Sequence, residues 1–213
     1  MAGEVTAIKA QKRKKDRVNI YLDGEYSFSV KMIVAASLQR GDYLADEEIK
    51  ELQMQDAFQK AHDRALNYLA YRPRSSAEVS RYLAGKRVPS QVGEEVLQRL
   101  SAAGLLDDLA FARYWVENRE TFRPRGRRLL RQELRQKGVD YELIAEALGE
   151  VDEEESAYQA ALRQARKYAG LDDGLFRQRM HNFLRRRGFS YEVVRETISR
   201  LLQQRSEEVG ANG

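Results

Sequence analysis

The residues best suited to chemistry are arginines, and they are concentrated between positions 119 and 138. This stretch, RETFRPRGRRLLRQELRQKG, carries eight Lys or Arg residues against two acids. Guanidinium groups bind carboxylates and phosphates through paired hydrogen bonds, so the stretch predicts a surface for an acidic partner. Arg127, Arg131 and Arg135 are spaced at i, i+4 and i+8, which places them on one side of a helix.

Basic residues recur at matching places elsewhere in the chain. Arg72-Pro73-Arg74 returns 51 positions later as Arg123-Pro124-Arg125, and Arg185-Arg186-Arg187 repeats the basic theme further on. These arginines could instead pair with acids of neighbouring helices, where each exposed pair contributes about 0–1 kcal/mol. Their recurrence favours a partner-binding face. The predicted contact residues are Arg72, Arg74, Arg123, Arg125, Arg127, Arg128, Arg131, Arg135, Lys137, Arg177, Arg185 and Arg186.

Residues typical of catalytic and metal sites are scarce. The chain has two histidines and no cysteine, and it lacks the HExxH, GxSxG and phosphate-loop patterns. The acidic run at 152–155 could hold a divalent cation, but consecutive acids at a helix start fan outward and complement the helix dipole. For Trp115, core packing is preferred to stacking on a nucleic-acid base. We predict a protein that is not an enzyme and needs no metal or cofactor.

An internal repeat positions the basic residues. Val79 and Leu83 correspond to Leu130 and Leu134 at an offset of 51, and these correspond to Met180 and Leu184 at an offset of 50. After each pair follows a segment with apolar residues at the spacing of one helix face. Each unit therefore predicts a first helix, a basic second helix and a third helix. Gly138 and Gly188 lie where the second helices need a residue that tolerates positive φ.

The N-terminal segment predicts strands instead. RVNIYL and YSFSV flank Asp23-Gly24, a dipeptide suited to a type I′ hairpin turn. Residues 31–38 are expected to be helical, and Asp46 is expected to cap the next helix. The basic run at 12–15 is interpreted as a solvated turn, with an arm that touches nucleic acid as the alternative.

These patterns predict a mainly α fold, an elongated tandem array of three three-helix repeats preceded by a small N-terminal β-hairpin or sheet segment. The expected boundaries are a β-rich extension with short helices at 1–56, then repeats at 57–107 and 108–152, and a third repeat with a disordered tail at 153–213.

Composition limits the environment of the protein. The 213 residues have a net charge of +4, with 33% charged residues, and no apolar run approaches the ~20 residues that span a bilayer. The absence of cysteine is compatible with a reducing compartment. We expect a cytoplasmic protein without membrane association.

Several stretches together resemble the RecX family, the regulators of the bacterial recombinase RecA. They are ALNYLAYRPRSSAEVSRYL at 65–83, AAGLLDDLAFARYWVENR at 102–119 and RPRGRRLLRQELRQKGVD at 123–140, with NIYLDGEYSFSV resembling the β-rich extension of longer members. The chain departs from the family pattern at GKRVP, residues 85–89, and its third unit lacks Arg-Pro-Arg.

The resemblance implies a regulatory protein that binds in the groove of the RecA–DNA filament. It implies inhibition of RecA ATPase, strand exchange and coprotease activity in DNA repair and the SOS response. The expected partners are the RecA filament and, weakly, single- or double-stranded DNA, and we expect a monomer. A stand-alone nucleic-acid-binding helical repeat protein is the alternative.

Overall fold

Alternating apolar residues at the N-terminus form a four-stranded antiparallel sheet in the computed structural model, which describes residues 1–211. The strand order is β3-β2-β1-β4, so the long hairpin β2–β3 lies on one side of β1 and the short β4 on the other. The strands are β1 (Gly3–Ala10), β2 (Arg17–Leu22), β3 (Glu25–Lys31) and β4 (Tyr43–Leu44).

The hairpin prediction is confirmed. Asp23 and Gly24 have φ values of 49° and 90°, and positive φ at both central residues is what a type I′ turn requires. Ile20 pairs with Phe28 and Val18 with Val30, which places the apolar side chains on one buried face.

Helix α1 (Asp46–Leu69) packs its first half against this sheet. Ile49 and Leu52 enter the core of the sheet. The expectation of an Asp46 cap is wrong by one position, because Ala45 is the N-cap residue and donates its amide to the Glu48 carboxylate at 2.8 Å. The helix also runs unbroken through residue 57, where the sequence suggested that a new unit begins.

The helix expected at 31–38 is absent from the described chain. Residues 32–37 form successive turns, in which the amides of Val34 and Leu38 bond the carbonyls three residues earlier. Ile33 is 68% exposed, so a helix there would have lacked a complete apolar face to bury. Strand β4 was not predicted, because two residues are too short to show a periodicity.

Two compact units divide the chain. The first holds residues 1–72 and 79–105, and the second holds residues 73–78 and those from 106 onward. In the first unit, α1 also packs with α3 (Ser90–Ala102). Tyr68 of α1 stacks on Tyr82 of α2 (Ser76–Gly85, grouped here from Val79), with the ring centres 4.1 Å apart. Val79 and Leu83 of α2 and Val96 and Leu100 of α3 are buried.

The second unit contains the other two three-helix groups. Their helices are α4 (Asp108–Phe122), α5 (Arg127–Lys137), α6 (Tyr141–Gly149), α7 (Glu153–Ala165), α8 (Asp173–Arg186) and α9 (Tyr191–Ala211). Leu130 and Leu134 are fully buried in one group, and Met180 and Leu184 occupy the same places in the other. The described chain is therefore mostly helical, with three three-helix repeats after an N-terminal sheet, as the sequence predicted.

Close backbone contact joins the two groups of the second unit. The amide of Gly126, before α5, donates to the Arg187 carbonyl at 2.9 Å. A Cβ at Gly126 would lie 2.2 Å from the Gly188 carbonyl oxygen, so only glycine fits. Gly138 and Gly188 have φ values of 80° and 87°, which confirms the positive φ expected after both second helices.

Candidate basic interface

Helix α5 presents three arginines on its outer face. Gly126 precedes the helix and Gly138 ends it in the left-handed conformation, while Leu130 and Leu134 bury the opposite side. Arg128, Arg131 and Arg135 are exposed, and they lie within about 60° of one another around an axis of 3.6 residues per turn. Within the described residues, the structure gives these three side chains no carboxylate partner.

Three other predicted basic residues of this region, Arg125, Arg127 and Lys137, are held by contacts within the protein. Arg125 forms an ion pair with Glu133, a carboxylate that is 9% exposed. Glu133 also accepts from Arg119 Nε at 2.9 Å and from Trp115 Nε1 at 2.8 Å. Arg125 therefore contributes to the packing of α4 on α5, and its charge is largely matched inside the protein.

Arg127 connects the two groups of the second unit. Its guanidinium donates to the Val151 carbonyl at 2.5 Å, and its amide donates to Glu153 at 3.0 Å. The acidic run also caps α7, because Asp152 accepts from the Glu155 amide at 3.0 Å. This confirms capping by the acids and gives Arg127 a structural role.

Lys137 lies at the end of α5 in a similarly internal position. Its ammonium group pairs with Glu78 at 2.7 Å and lies 4.8 Å from the centre of the Trp115 ring. Its carbonyl accepts from the Ser75 hydroxyl at 2.6 Å. Trp115 is half-buried against the core between α4 and α5, which confirms core packing over an exposed stacking platform.

The predicted residues of the other repeats differ in accessibility. Arg177, Arg185 and Arg186 are exposed on α8. Arg72 and Arg74 are half-buried and belong to different compact units, and both interact with other groups. The structure thus brings Arg123, α5 and α8 into one unit and separates Arg72 from them.

A second basic group surrounds the end of α4. Arg187 donates to the Pro124 carbonyl at 2.9 Å, and Arg163 of α7 donates to the Thr121 carbonyl at 3.2 Å. Arg123, the residue that ends α4, is exposed between these two carbonyls. Sequence reasoning missed Arg163, because it lies in a first helix outside the basic stretches.

Neighbouring positive charges lower the pKa of two of these guanidinium groups. Burial lowers the pKa of Arg187, and the charges of Arg123 and Arg163 lower it further. Burial likewise lowers the pKa of Arg125, with smaller effects from Arg119, Arg123 and Arg187. Glu133 pairs with Arg119 and Arg125, whereas within the described residues Arg123, Arg163 and Arg187 form no ion pair.

Comparison with known proteins matches the same segments. Family models for the RecX N-terminal domain and for its first, second and third three-helix domains match residues 3–45, 61–100, 107–148 and 152–198. The regulatory protein RecX of Bacillus pumilus is 32% identical over 96% of this chain and 80% of its own length. The regulatory protein RecX of Bacillus subtilis is 34% identical, over 96% and 79%. The chain belongs to the RecX family.

Solved RecX structures are similar to this chain. One crystal structure of regulatory protein RecX is 32% identical, covers 91% of this chain and 97% of its own, and has a TM-score of 0.73. RecX from Lactobacillus salivarius is 25% identical, covers 69% and 97%, and has a TM-score of 0.62. The RecX relatives are named regulatory proteins rather than enzymes.

Among residues 1–211, no helix is both long enough and apolar enough to cross a bilayer. Over the same residues, the structure holds no group of three or more His, Asp or Glu side chains arranged to bind a metal ion.

Proposed function

We propose that this chain binds the RecA filament on DNA and inhibits RecA ATPase, strand exchange and coprotease activity. The family supplies the partner, and the observation that supports the contact surface is the unpaired arginine face of α5. Arg128, Arg131 and Arg135 are exposed and aligned, whereas Arg119, Arg125 and Arg127 are bonded internally. Carboxylates or phosphates on the surface of a partner would form charge-assisted hydrogen bonds with these arginines.

Helix α8 carries further exposed arginines that are part of the proposed contact surface. Arg177, Arg185 and Arg186 belong to the same compact unit as α5. Many shallow charged contacts over two repeats fit a partner that presents a repeated acidic surface, such as a nucleoprotein filament. The domain boundaries given above, the monomeric state and the cytoplasmic location remain predictions.

RecA-catalysed ATP hydrolysis on single-stranded DNA tests the proposal. We expect turnover to fall as the wild-type protein is titrated in. Unchanged turnover at saturating protein contradicts the proposed function.

A triple variant, Arg128→Glu, Arg131→Glu and Arg135→Glu, tests the α5 face. We expect half-maximal inhibition to need about tenfold more protein, which corresponds to about 0.5 kcal/mol for each of three exposed contacts. The matched control replaces Arg40, Arg64 and Arg195, which are also exposed, by Glu and so makes the same change in net charge. An equal loss of inhibition in both variants would assign the effect to net charge rather than to α5.

A further inference from the structure

The end of α4 is surrounded by three guanidinium groups from three different helices or helix ends. Arg163 reaches it from α7 and Arg187 from the end of α8, and they hold the carbonyls of Thr121 and Pro124. Arg123 ends α4 between these carbonyls and is exposed. We call Arg123, Arg163 and Arg187 the arginine triad.

The triad has hydrogen-bonding capacity that the protein does not use. A guanidinium carries five N–H donors, and the carbonyl bonds of Arg163 and Arg187 occupy one donor each. Within the described residues, no carboxylate forms an ion pair with any of the three. The nearby Glu133 is engaged by Arg119 and Arg125, so it does not serve the triad.

Arg187 is the least exposed member of the arginine triad. Arg187 is half-buried against the Phe183 ring, with the guanidinium 4.6 Å from the ring centre. Its pKa is lowered first by burial and then by the like charges of Arg123 and Arg163. An anion placed among the three groups would relieve this repulsion and accept their free N–H donors.

Capping of α4 explains only part of the triad. Positive charge near a helix C-terminus is favourable, and carbonyl bonds from Arg163 and Arg187 satisfy that role. Arg123 bonds neither carbonyl, yet it adds a third positive charge at the same place. Convergence of three charges on one small volume is typical of the recognition of an oxyanion with several acceptor oxygens.

We propose that the arginine triad binds a phosphodiester group of a DNA strand. This assignment deepens the function proposed above and rests on it, since it names a DNA-contacting part of an interface with a nucleoprotein filament. A phosphodiester presents two unesterified oxygens with one negative charge, so it can accept from two guanidinium groups while the third contributes charge. The contact is independent of base sequence.

Anisotropy of a labelled oligo-dT at low salt, without RecA, tests the assignment in the full-length protein. The double variant Arg123→Gln and Arg163→Gln should bind about tenfold more weakly. Its plot of log affinity against log salt should also be less steep by about one, as expected for the loss of one phosphate contact. The control Arg64→Gln and Arg195→Gln alters two exposed arginines outside the triad and should match wild type.

Two outcomes would overturn the assignment. Unchanged DNA affinity with a lower melting temperature would make the triad a helix cap only. Stabilisation of the wild-type protein by inorganic phosphate, with unchanged DNA affinity in the double variant, would indicate a site for a free anion.

Two measurements keep these results interpretable. Arg187→Lys retains the charge while removing the planar fork, so it should weaken DNA binding less than Arg187→Gln if the fold is intact. RecA ATPase is measured with the same proteins. Failure of wild type to inhibit RecA would reject the proposed function, whereas normal DNA binding by the double variant would reject only the triad.

Discussion

At the residue scale, pairing with a buried carboxylate determines which basic side chains have a structural role. The Glu133 carboxylate accepts a hydrogen bond from Trp115 and forms ion pairs with Arg119 and Arg125. These contacts explain why neighbouring arginines of the same stretch have different roles. The signal in the sequence was a single acid within the basic helix, next to the buried Leu134. An isolated carboxylate beside an apolar position is a candidate partner for several cations.

Replacing Glu133 should therefore destabilise the second unit. Glu133→Leu leaves Arg119 and Arg125 without their shared counterion, and removal of one side of a largely buried ion pair costs about 3–5 kcal/mol. The free energy of unfolding from urea titration measures the loss. Glu117→Leu changes an exposed acid on α4 and should cost less than about 1 kcal/mol. Equal losses in the two variants would show that Glu133 is not the counterion.

Asp56 has the corresponding role in the first unit. Its carboxylate pairs in two-pronged fashion with Arg17, at 3.0 and 3.1 Å, and accepts from the Lys31 amide at 2.8 Å. Burial raises the pKa of Asp56, but hydrogen bonds from Arg17, Lys60 and the Lys31 amide outweigh it, and the net pKa is lowered.

A lowered folded-state pKa fixes the direction of the pH dependence. The stabilisation by Asp56 is fully present above the ordinary aspartate pKa of about 3.9, and it is lost as pH falls through the lower folded-state pKa. Asp56→Asn should therefore be less stable than wild type at pH 7, and the difference should shrink in acid. Urea midpoints at about pH 7 and pH 3 measure both quantities. A difference that stays constant with pH would contradict the assignment.

At the element scale, local signals predicted individual elements better than their connections. Asp23-Gly24 predicted the hairpin, and the apolar spacing predicted the buried faces of α3, α6 and α9. Two helical segments were predicted where α1 is a single helix, because the repeat pattern placed a boundary at residue 57. No glycine or proline lies between the segments to interrupt the helix. The Arg163 and Arg187 contacts also could not be predicted, since they depend on tertiary packing between repeats.

The junction at Gly126 gives a prediction about that packing. In Gly126→Ala, the new Cβ would meet backbone atoms of Gly188 and Phe189 at 2.2–2.4 Å, and backbone cannot rotate away as a side chain can. We expect a loss of about 1–3 kcal/mol or more in the free energy of unfolding. In Gly149→Ala, at the end of α6, the new Cβ would meet no atom within 4 Å, so this variant should be neutral or slightly stabilising. A neutral Gly126→Ala would show that the two groups are not closely packed.

At the scale of the whole molecule, charge is distributed as local surfaces within a small net charge of +4. The exposed arginines of α5 lie on one face of that helix and those of α8 are exposed in the same unit, while Arg113 pairs with Glu146 and Glu150. The Debye length falls from roughly 30 Å at 0.01 M salt to about 8 Å at 0.15 M, so exposed contacts weaken as salt rises. The family membership and the repeat fold do not depend on these contacts, but the proposed inhibition does.

Inhibition of RecA ATPase should therefore weaken steeply as salt is raised. Several exposed arginine contacts predict that half-maximal inhibition needs about tenfold or more protein between roughly 50 and 200 mM salt. The variant with Arg128, Arg131 and Arg135 reversed should show a shallower dependence, because it has fewer contacts to screen. RecA turnover without the regulator at each salt concentration corrects for the effect of salt on the filament itself. The same slope for wild type and variant would show that the α5 face makes no ionic contact with the filament.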